Sequence, residues 1–542
     1  MRIDRLWLKE FRNLRAFEVD FDETSTRQVI VGRNGVGKSN LLEAITRIFR
    51  DLDLEEASEF EYEIEYFCNQ HAVKVRCEGE LTIVIAPEAD CHGVTRSARP
   101  YTQLPVADFF ERNRAVGGQH NEGRLLPLYV FGYYSGSITR FAEIFAAHEE
   151  RYYREQISGE ELPLRAVFQA KPHHSQFALL AFYATRDDAA KQFLRNECGI
   201  TGFDSALFAL REPYWKQSQK ANRAGDSRFW NAGGKVAPFL DRLFSSSLAP
   251  MATRERVRVS LGQEKTKERR YCFIPDEHAL QQLAEQLTNK EFFARLESLV
   301  FSDLVDADGS DLRVWVNIDN LQTPATFDDL AEGERQLLTV LGLMRFTAEK
   351  EALFLLDEPD THLNPAWCLD YLENLRLYGA MPANSQIIMT THSPLTFAGL
   401  DRNEVVILER NSEGRIFSDH PTSAPKGMGF AAILTSEFFG LRSTLDRQTL
   451  AKIDQKRELA LKEPKSDDDR RRLAQLSDEL GQLDFSHSAR DPLYLEFIHA
   501  ITQAQVEEPS LKAAVPAKAT WRERQAIATD VAKRLLRLRS SE

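Results

Sequence analysis

The stretch RQVIVGRNGVGKSNLLEAITRIFR, residues 27–50, decides the fold class. Its first five residues, RQVIV, end in three apolar residues and predict a buried strand that leads into a glycine-rich turn. From Ser39 the spacing becomes helical, with the following apolar residues on one face: Leu41, Leu42, Ile45, Ile48 and Phe49. A strand, a glycine-rich loop and a helix in this order are the context that a phosphate-binding loop needs.

The turn itself, GRNGVGKS from Gly32 to Ser39, fits the pattern G-x-x-x-x-G-K-[ST] at every fixed position. Its glycines allow a tight turn that points backbone N–H groups at phosphate oxygens, and the helix N-terminus adds partial positive charge. We therefore expect Lys38 to contact the β- and γ-phosphates of ATP and Ser39 to bind Mg²⁺. The residues expected to contact the nucleotide are Arg33, Asn34, Gly35, Gly37, Lys38, Ser39 and Asn40.

A second motif, LFLLDEPDTHLNP, spans residues 353–365 and contains a predicted apolar strand that ends in two carboxylates, Asp357 and Glu358. Burying two such charges without partners is costly, and a Mg²⁺–nucleotide complex would supply the missing partner. We expect Asp357 to hold the metal and Glu358 to orient and deprotonate the attacking water. Taken alone, the motif also fits an exposed turn with solvated acids.

Two weaker motifs follow the same logic. His392, in TTHSP, follows another apolar strand and is suited to hydrogen-bond a γ-phosphate, although a polar strand end stopped by Pro394 explains the same residues. The segment LAEGERQ, Leu330 to Gln336, precedes a predicted helix, and a helix N-terminus attracts anions. A simple helix start, with acids that favour the helix dipole, explains this segment as well.

The order of these four motifs resembles that of ABC-type ATPase heads of the SMC/RecF/OLD group, as does the opening segment LKEFRNLRAFEVDF, residues 8–21. The resemblance implies an α/β P-loop ATPase head that uses ATP and Mg²⁺, with Glu358 and His392 as catalytic residues. It also implies that two chains pair head to tail, so that one chain contacts the γ-phosphate bound to the other. The residues assigned to this contact in trans are Ala331, Gly333 and Glu334, and those assigned to the loop crossing the dimer interface are His362 and Asn364.

One position departs from the family pattern. Ala331 stands where the family usually has a serine whose hydroxyl contacts the γ-phosphate. A lost hydrogen bond to a charged group costs about 1.5–3 kcal/mol, so we expect slow hydrolysis or a need for a trigger. The family's Mg²⁺-contacting glutamine has two candidates here, Gln169 and Gln176, of which Gln176 is the one assigned to the metal.

The segments YVFGYYSGSITRF (129–141) and SEFFGLRSTL (436–445) are similar to the ATPase subunit (PtuA-like) of Septu-type anti-phage defence systems. That similarity implies a separate HNH nuclease subunit as partner and nucleic acid as a target of the complex. After residue 410 the sequence has no strand-linked Glu followed by an Asp-x-Asp cluster, so we expect no nuclease site in this chain. The alternatives are a RecF-like DNA-repair ATPase that clamps DNA and, less well supported, the cytosolic subunit of an ABC transporter.

The pattern of predicted elements divides the chain into four parts. Residues 1–139 are expected to form the N-terminal half of the head with the glycine-rich loop, and residues 306–425 the C-terminal half with the LAEGERQ segment, the acidic pair and His392. Between them, residues 140–305 are expected to form a compact, mainly helical insertion, because no sustained heptad repeat is present. Residues 426–542 are expected to form a helical region that binds the partner.

Composition sets outer limits on these hypotheses. The chain has 542 residues, of which 43% are hydrophobic and 28% charged, and these proportions are typical of globular proteins. The sequence contains no apolar run long enough to span a membrane, and its six cysteines form no CxxC pair, so a reducing cytoplasmic setting is expected. The net charge of −13 does not by itself indicate a nucleic-acid-binding protein, although a local basic patch can lie on an acidic body.

Overall fold

The computed structural model describes residues 1–91, 94–114, 121, 123–136, 139–158, 165–217, 225–234, 236–260, 263–306, 310–319, 321–347, 351–379 and 384–481. The chain separates into two compact units, Met1–Thr422 and Ser423–Glu542. The predicted nucleotide motifs all lie in the first unit.

The strands lie in the first unit and form three sheets. In chain order they are β1 (Arg2–Phe11), β2 (Leu14–Asp20), β3 (Arg27–Gly32), β4 (Tyr62–Cys68), β5 (His71–Glu78), β6 (Glu80–Pro87), β7 (Thr102–Leu104), β8 (Tyr129–Tyr134), β9 (Val167–Gln169), β10 (Ile200–Arg211), β11 (Met251–Ser260), β12 (Gln263–Ile274), β13 (Leu312–Ile318), β14 (Ala325–Thr326), β15 (Ala352–Asp357), β16 (Gln386–Thr390), β17 (Val405–Arg410) and β18 (Ile416–Asp419).

The helices of the described residues lie in both units. In chain order they are α1 (Lys38–Asp53), α2 (Val106–Asn113), α3 (Thr139–Ser158), α4 (His173–Ala184), α5 (Asp188–Cys198), α6 (Val236–Ser246), α7 (Glu277–Leu283), α8 (Asn289–Phe301), α9 (Glu332–Thr347), α10 (Pro365–Tyr378), α11 (Pro394–Phe397), α12 (Phe430–Thr435), α13 (Arg447–Leu461) and α14 (Asp467–Gly481).

The central sheet has seven strands in the order β18-β17-β3-β16-β15-β8-β9, and all its neighbours are parallel except β17 and β18. Its inner strands are apolar along their whole length because both faces of a parallel sheet are covered. The sequence predicted β3, β15 and β16 from such apolar runs, and the structure confirms all three. Since the strands run in parallel, their carboxyl ends meet at one edge of the sheet.

A second sheet, β2-β1-β4-β5-β6-β7, is antiparallel and lies on the other side of α1. Apolar residues of α1 share one buried cluster with residues of this sheet and of β3; Leu8, Ile30 and Ile45 are examples, each fully buried. The helix that follows the glycine-rich loop is therefore held from both sides. This packing fixes the loop relative to the central sheet.

The insertion, predicted as a mainly helical lobe, is mixed α/β instead. Strands β10, β11 and β12 lie within residues 140–305 and form an antiparallel five-stranded sheet with β13 and β14, in the order β11-β12-β10-β13-β14. The helical prediction failed because β11, MATRERVRVS, alternates charged and apolar residues and contains no apolar run. Such alternation is typical of a strand with one face toward solvent.

In the second unit, α13 and α14 form a helical hairpin whose turn lies at residues 462–466. The charged segment Lys462–Arg472 therefore spans this turn and the first residues of α14. The basic stretch Lys518–Arg539 lies outside the described residues. Among the helices that are described, none combines the length and the apolar character needed to cross a membrane.

Candidate nucleotide-binding site

The carboxyl ends of three neighbouring strands bring the predicted site residues together. Asp357 of β15 is in register with Thr390 of β16, and Thr390 is in register with Ile30 of β3. The glycine-rich loop after β3, the acidic pair after β15 and the histidine after β16 therefore meet at one edge. The four predicted groups Lys38, Asp357, Glu358 and His392 lie within one connected set of contacts.

The glycine-rich loop is shaped and braced by its neighbours. Gly37 adopts φ +91°, and a Cβ at this position would lie 2.8 Å from the Asn13 Oδ1 atom, so only glycine fits without strain. The Asn13 side-chain amide and the Arg410 guanidinium both donate to the Gly35 carbonyl oxygen, at 3.0 and 2.9 Å. Asn40 in turn donates to Asn13 Oδ1 at 2.5 Å.

Asn13 belongs to the turn between β1 and β2. In the sequence, this turn was noted only as part of the opening segment that resembles ABC-type ATPase heads. The contacts give this turn a physical role, because it holds the carbonyl side of the loop and leaves the backbone N–H groups to face a ligand. Arg410 was not predicted; it lies at the end of β17, and no local sequence signal indicated its position.

Lys38, His392 and Glu358 form a chain of close contacts. The Lys38 Nζ atom donates to the Gly32 carbonyl oxygen at 3.0 Å and lies 2.8 Å from His392 Nε2. The same Nε2 atom lies 3.0 Å from Glu358 Oε1. One ring nitrogen cannot both accept from the ammonium and donate to the carboxylate, so the proton position on His392 decides which contact is a hydrogen bond.

The electrostatics of this group follow from burial. Removal from water lowers the pKa of Lys38 to about 8, although the nearby Glu358 and Asp357 carboxylates oppose that shift. Hydrogen bonding from His392 lowers the pKa of Glu358, which favours its ionised form. An ionised carboxylate is the form of this side chain that can accept a proton from water.

Asp357 is almost fully buried, and burial raises the pKa of its carboxyl group. The Thr390 hydroxyl donates to Asp357 Oδ1 at 2.6 Å, and the Ser39 hydroxyl is also hydrogen-bonded to this carboxylate. A carboxylate and a hydroxyl in direct contact offer the hard oxygen ligands that Mg²⁺ prefers. These residues therefore fit the metal, which would offset the cost of keeping Asp357 charged.

The residue after Asp357 has an unusual backbone. Glu358 adopts φ +49°, a left-handed conformation that few non-glycine residues take. Its N–H group is held by both the carbonyl and the hydroxyl oxygen of Thr390, each at 3.1 Å. Thr390 thus fixes both acidic residues at once, and its part was not predicted from the sequence.

The segment 330–336 packs on the loop that follows the acidic pair in the same chain. A Cβ at Gly333 would lie 2.7 Å from the His362 carbonyl oxygen, and Gln336 donates to the Pro359 carbonyl oxygen at 2.6 Å. Ala331 is exposed, and its N–H group donates to the Glu334 carboxylate at 2.8 Å. Asn364 is exposed as well and caps α10 by accepting from the Trp367 N–H. The two predicted interface segments therefore form one surface.

We expect Gly333→Ala to lower the thermal unfolding midpoint, because the added methyl group must displace the loop backbone at His362. Overpacking of this kind costs about 1–3 kcal/mol. Gly399→Ala is the matched control, since no atom lies within 4 Å of a Cβ built at Gly399. Differential scanning fluorimetry on both variants measures the effect, and equal midpoints for the two variants would show that the close approach at Gly333 is wrong.

The two glutamines considered as metal ligands occupy different places. Gln169 ends β9 beside Gly132 of β8, whereas Gln176 lies on α4. Both side chains are buried, and each Oε1 atom is without a hydrogen-bond partner. Within the described part of the chain, neither amide reaches Asp357. The assignment of Gln176 to the metal stays a prediction.

Ser135, the residue after β8, does reach the site and was missed. Its N–H group donates to the Asp357 carbonyl oxygen at 3.2 Å, and the Thr361 hydroxyl lies 3.5 Å from its side-chain oxygen. The sequence analysis noted residues 129–141 only as a family-like segment, and Ser135 lies within it. Its meaning depended on knowing that β8 is the neighbour of β15.

Comparisons with known proteins agree with this geometry. A family model described as "AAA ATPase domain" matches residues 1–98, and one described as "AAA domain, putative AbiEii toxin, Type IV TA system" matches residues 222–398. The first contains the glycine-rich loop, and the second contains the acidic pair and His392. "Septu protein PtuA" of Bacillus mycoides (strain KBAB4) is 30% identical over 158 residues, which are 28% of this chain and 22% of that protein.

The chain contains segments that match AAA ATPase family models, and over 158 residues it resembles PtuA. The match spans only about a fifth of that relative's length. Among solved structures, the SMC head bound to the C-winged helix domain of ScpA is 13% identical, with 78% of this chain and 98% of that chain covered and a TM-score of 0.33. The SMC head domain of Thermotoga maritima is 12% identical, with 78% and 99% covered and a TM-score of 0.30. The predicted α/β ATPase head with a helical C-terminal region is confirmed.

Proposed function

We propose that this chain is the ATP-hydrolysing regulatory subunit of an anti-phage defence complex, in which it controls a separate HNH-type nuclease. The observation that supports the proposal most strongly is the convergence of Lys38, Asp357, Glu358 and His392 at the ends of three adjacent parallel strands. The similarity to PtuA supports the defence role, and it covers only part of each chain.

The chain's own residues suggest how hydrolysis proceeds. The backbone of the glycine-rich loop binds the β- and γ-phosphates, and the Lys38 ammonium neutralises their charge. Ser39 and Asp357 would hold Mg²⁺, which supplies further charge compensation on the phosphate oxygens when bound. Glu358 accepts a proton from the attacking water, and His392 exchanges its contact with Glu358 for one with the γ-phosphate.

Head-to-tail pairing would complete the site. Ala331, Glu334, His362 and Asn364 lie on one partly exposed surface together with the first turn of α9. In the proposed dimer this surface covers the nucleotide bound to the other chain, with the backbone at Gly333 closest to the γ-phosphate. Because Ala331 lacks a hydroxyl group, one transition-state hydrogen bond is missing, and the turnover is expected to be slow.

Partner binding is assigned to the parts of the chain outside the head. The insertion, residues 140–305, and the C-terminal region, residues 426–542, are the proposed docking regions for the nuclease subunit. The complex is proposed to act on nucleic acid in the cytoplasm. ATP binding would hold the dimer together, and loss of nucleotide would change the activity of the nuclease.

Purification with and without the product of the neighbouring gene tests this division of labour. We expect the chain alone, with Mg²⁺, to hydrolyse ATP slowly and to leave DNA uncut, because it carries no recognised nuclease motif. We expect the co-purified complex to cut DNA at a rate that depends on ATP concentration. Degradation of DNA by the purified chain alone, retained in a Glu358→Gln preparation, would contradict the proposal.

A further inference from the structure

The hairpin of β11 and β12 extends beyond the sheet to which it belongs. Residues Arg269–Ile274 of β12 pair with β10, whereas residues 263–268 pair only with β11 among the described residues. We call residues 254–260 and 263–268 the ribbon. At about 3.4 Å per residue it reaches roughly 20 Å past the end of β10.

The ribbon and its base are basic in a chain that is acidic overall. From Met251 to Ile274 the sequence holds seven Lys or Arg residues and three Asp or Glu residues, a local net charge of +4 against −13 for the whole chain. A local excess of positive charge is destabilising, because like charges repel one another. The binding of a negatively charged partner relieves this repulsion.

Two arginines stand on one face of the ribbon. Arg254 and Arg256 are two residues apart in β11, so strand alternation places them on the same face. The Arg254 side chain is 76% exposed, and Arg256 is exposed as well. Their cross-strand neighbours are Glu268 and Thr266.

Glu268, the carboxylate opposite Arg254, does not neutralise the cluster. It lies 3.3 Å from Arg254 and 3.6 Å from Arg270, so one negative charge serves two arginines, whereas Lys216 is paired more closely with Glu212, at 2.9 Å. An exposed aromatic residue, Tyr214, lies at the ribbon's base with the Lys267 ammonium 4.5 Å from its ring centre. Because Lys267 is the cross-strand neighbour of Glu255, strand alternation places it on the face opposite Arg254 and Arg256, and the ribbon carries positive charge on both faces.

We propose that the ribbon binds double-stranded DNA, with Arg254 and Arg256 contacting phosphates along a groove. A two-stranded antiparallel ribbon fits the major groove of B-form DNA, which is about 12 Å wide, whereas the major groove of A-form RNA is too narrow and deep. The surplus charge supplies the attraction to phosphate. The proposal deepens the function proposed above, since it names where a complex that acts on nucleic acid touches it.

Fluorescence anisotropy with a labelled DNA duplex of about 30 base pairs, titrated at several salt concentrations, tests the proposal on the full chain. The double variant Arg254→Ala/Arg256→Ala is expected to bind about tenfold more weakly near 0.1 M salt. Each lost phosphate contact also makes the slope of log K against log salt less negative by about 0.9, so a change of about 1.8 is expected.

Arg154→Ala is the matched control. Arg154 is 75% exposed and paired with Glu150 at 2.8 Å, so it resembles Arg254 in exposure and pairing but lies on α3. We expect the affinity of this variant for the DNA duplex, and its slope of log K against log salt, to equal those of the wild type. An unchanged slope in the double variant, no measurable duplex binding by the wild type, or tighter binding of single-stranded DNA or RNA duplex through the same arginines would overturn the proposal.

Measuring ATP hydrolysis in the absence of DNA distinguishes an effect on the ribbon from an effect on the nucleotide site. The double variant is expected to hydrolyse ATP at the wild-type rate, because the ribbon contributes no residue to the site. If the wild type hydrolyses no ATP yet binds DNA through these arginines, the proposed function fails and the DNA surface stands. If hydrolysis is normal and the slope does not change, the DNA surface fails alone.

Discussion

The Glu358→Gln variant is expected to bind ATP as tightly as the wild type and to hydrolyse it about 10²–10⁴-fold more slowly. Glutamine keeps the size and the hydrogen-bonding shape of the side chain but cannot accept the proton of the attacking water. Binding should survive, because the loop contacts and Asp357 are unchanged. Single-turnover hydrolysis and equilibrium binding of a fluorescent ATP analogue separate the two effects.

Glu373→Gln is the matched control for this change. Glu373 is half-exposed on α10 and forms an ion pair with Arg376 on the surface. Its substitution should leave hydrolysis within about twofold of the wild type, because surface ion pairs contribute little. Equal turnover in the Glu358 and Glu373 variants would show that Glu358 is not the base.

The Lys38→Met variant is expected to lose ATP affinity by about 10- to 100-fold. The lysine ammonium is buried and close to two carboxylates, and its charge-assisted contacts to phosphate are worth about 1.5–3 kcal/mol. Methionine keeps most of the side-chain volume, so the change tests the charge rather than the packing. Isothermal titration with ATP and Mg²⁺ measures the loss directly.

Lys9→Met controls for the removal of a lysine charge elsewhere. Lys9 is exposed on β1 and pairs with Glu61. It takes no part in the site contacts described above. Its affinity for ATP should not change. Equal affinities of the Lys38 and Lys9 variants for ATP would place the triphosphate elsewhere.

Sequence reasoning succeeded where the chemistry is local. The glycine-rich loop, the apolar strands β3, β15 and β16, and the acidic pair are each specified within a few neighbouring residues. Parallel strands covered on both faces contain apolar runs, so the positions of these three strands could be predicted. Because the motifs follow strand ends, their convergence could be expected before the sheet order was known.

Other features of the site depend on contacts between residues far apart in the chain. Asn13 reaches the site from the turn between β1 and β2 of the second sheet, and Ser135 and Arg410 reach it because β8 and β17 lie beside β15 and β3. Such neighbours carry no local signal, so the sequence alone did not assign them. The mixed fold of the insertion was missed because β11 is rich in charged residues and contains no apolar run. A search for strands by apolar runs therefore does not detect it.

A structure of the Glu358→Gln variant with ATP and Mg²⁺ would locate the triphosphate relative to both halves of the site. We predict a γ-phosphate oxygen within hydrogen-bonding distance of Lys38 Nζ, the metal between Ser39 and Asp357, and Gly333 of a second chain facing the same phosphate. A nucleotide bound away from the glycine-rich loop, with Asp357 and Glu358 making no contact to it or to its metal, would contradict this account.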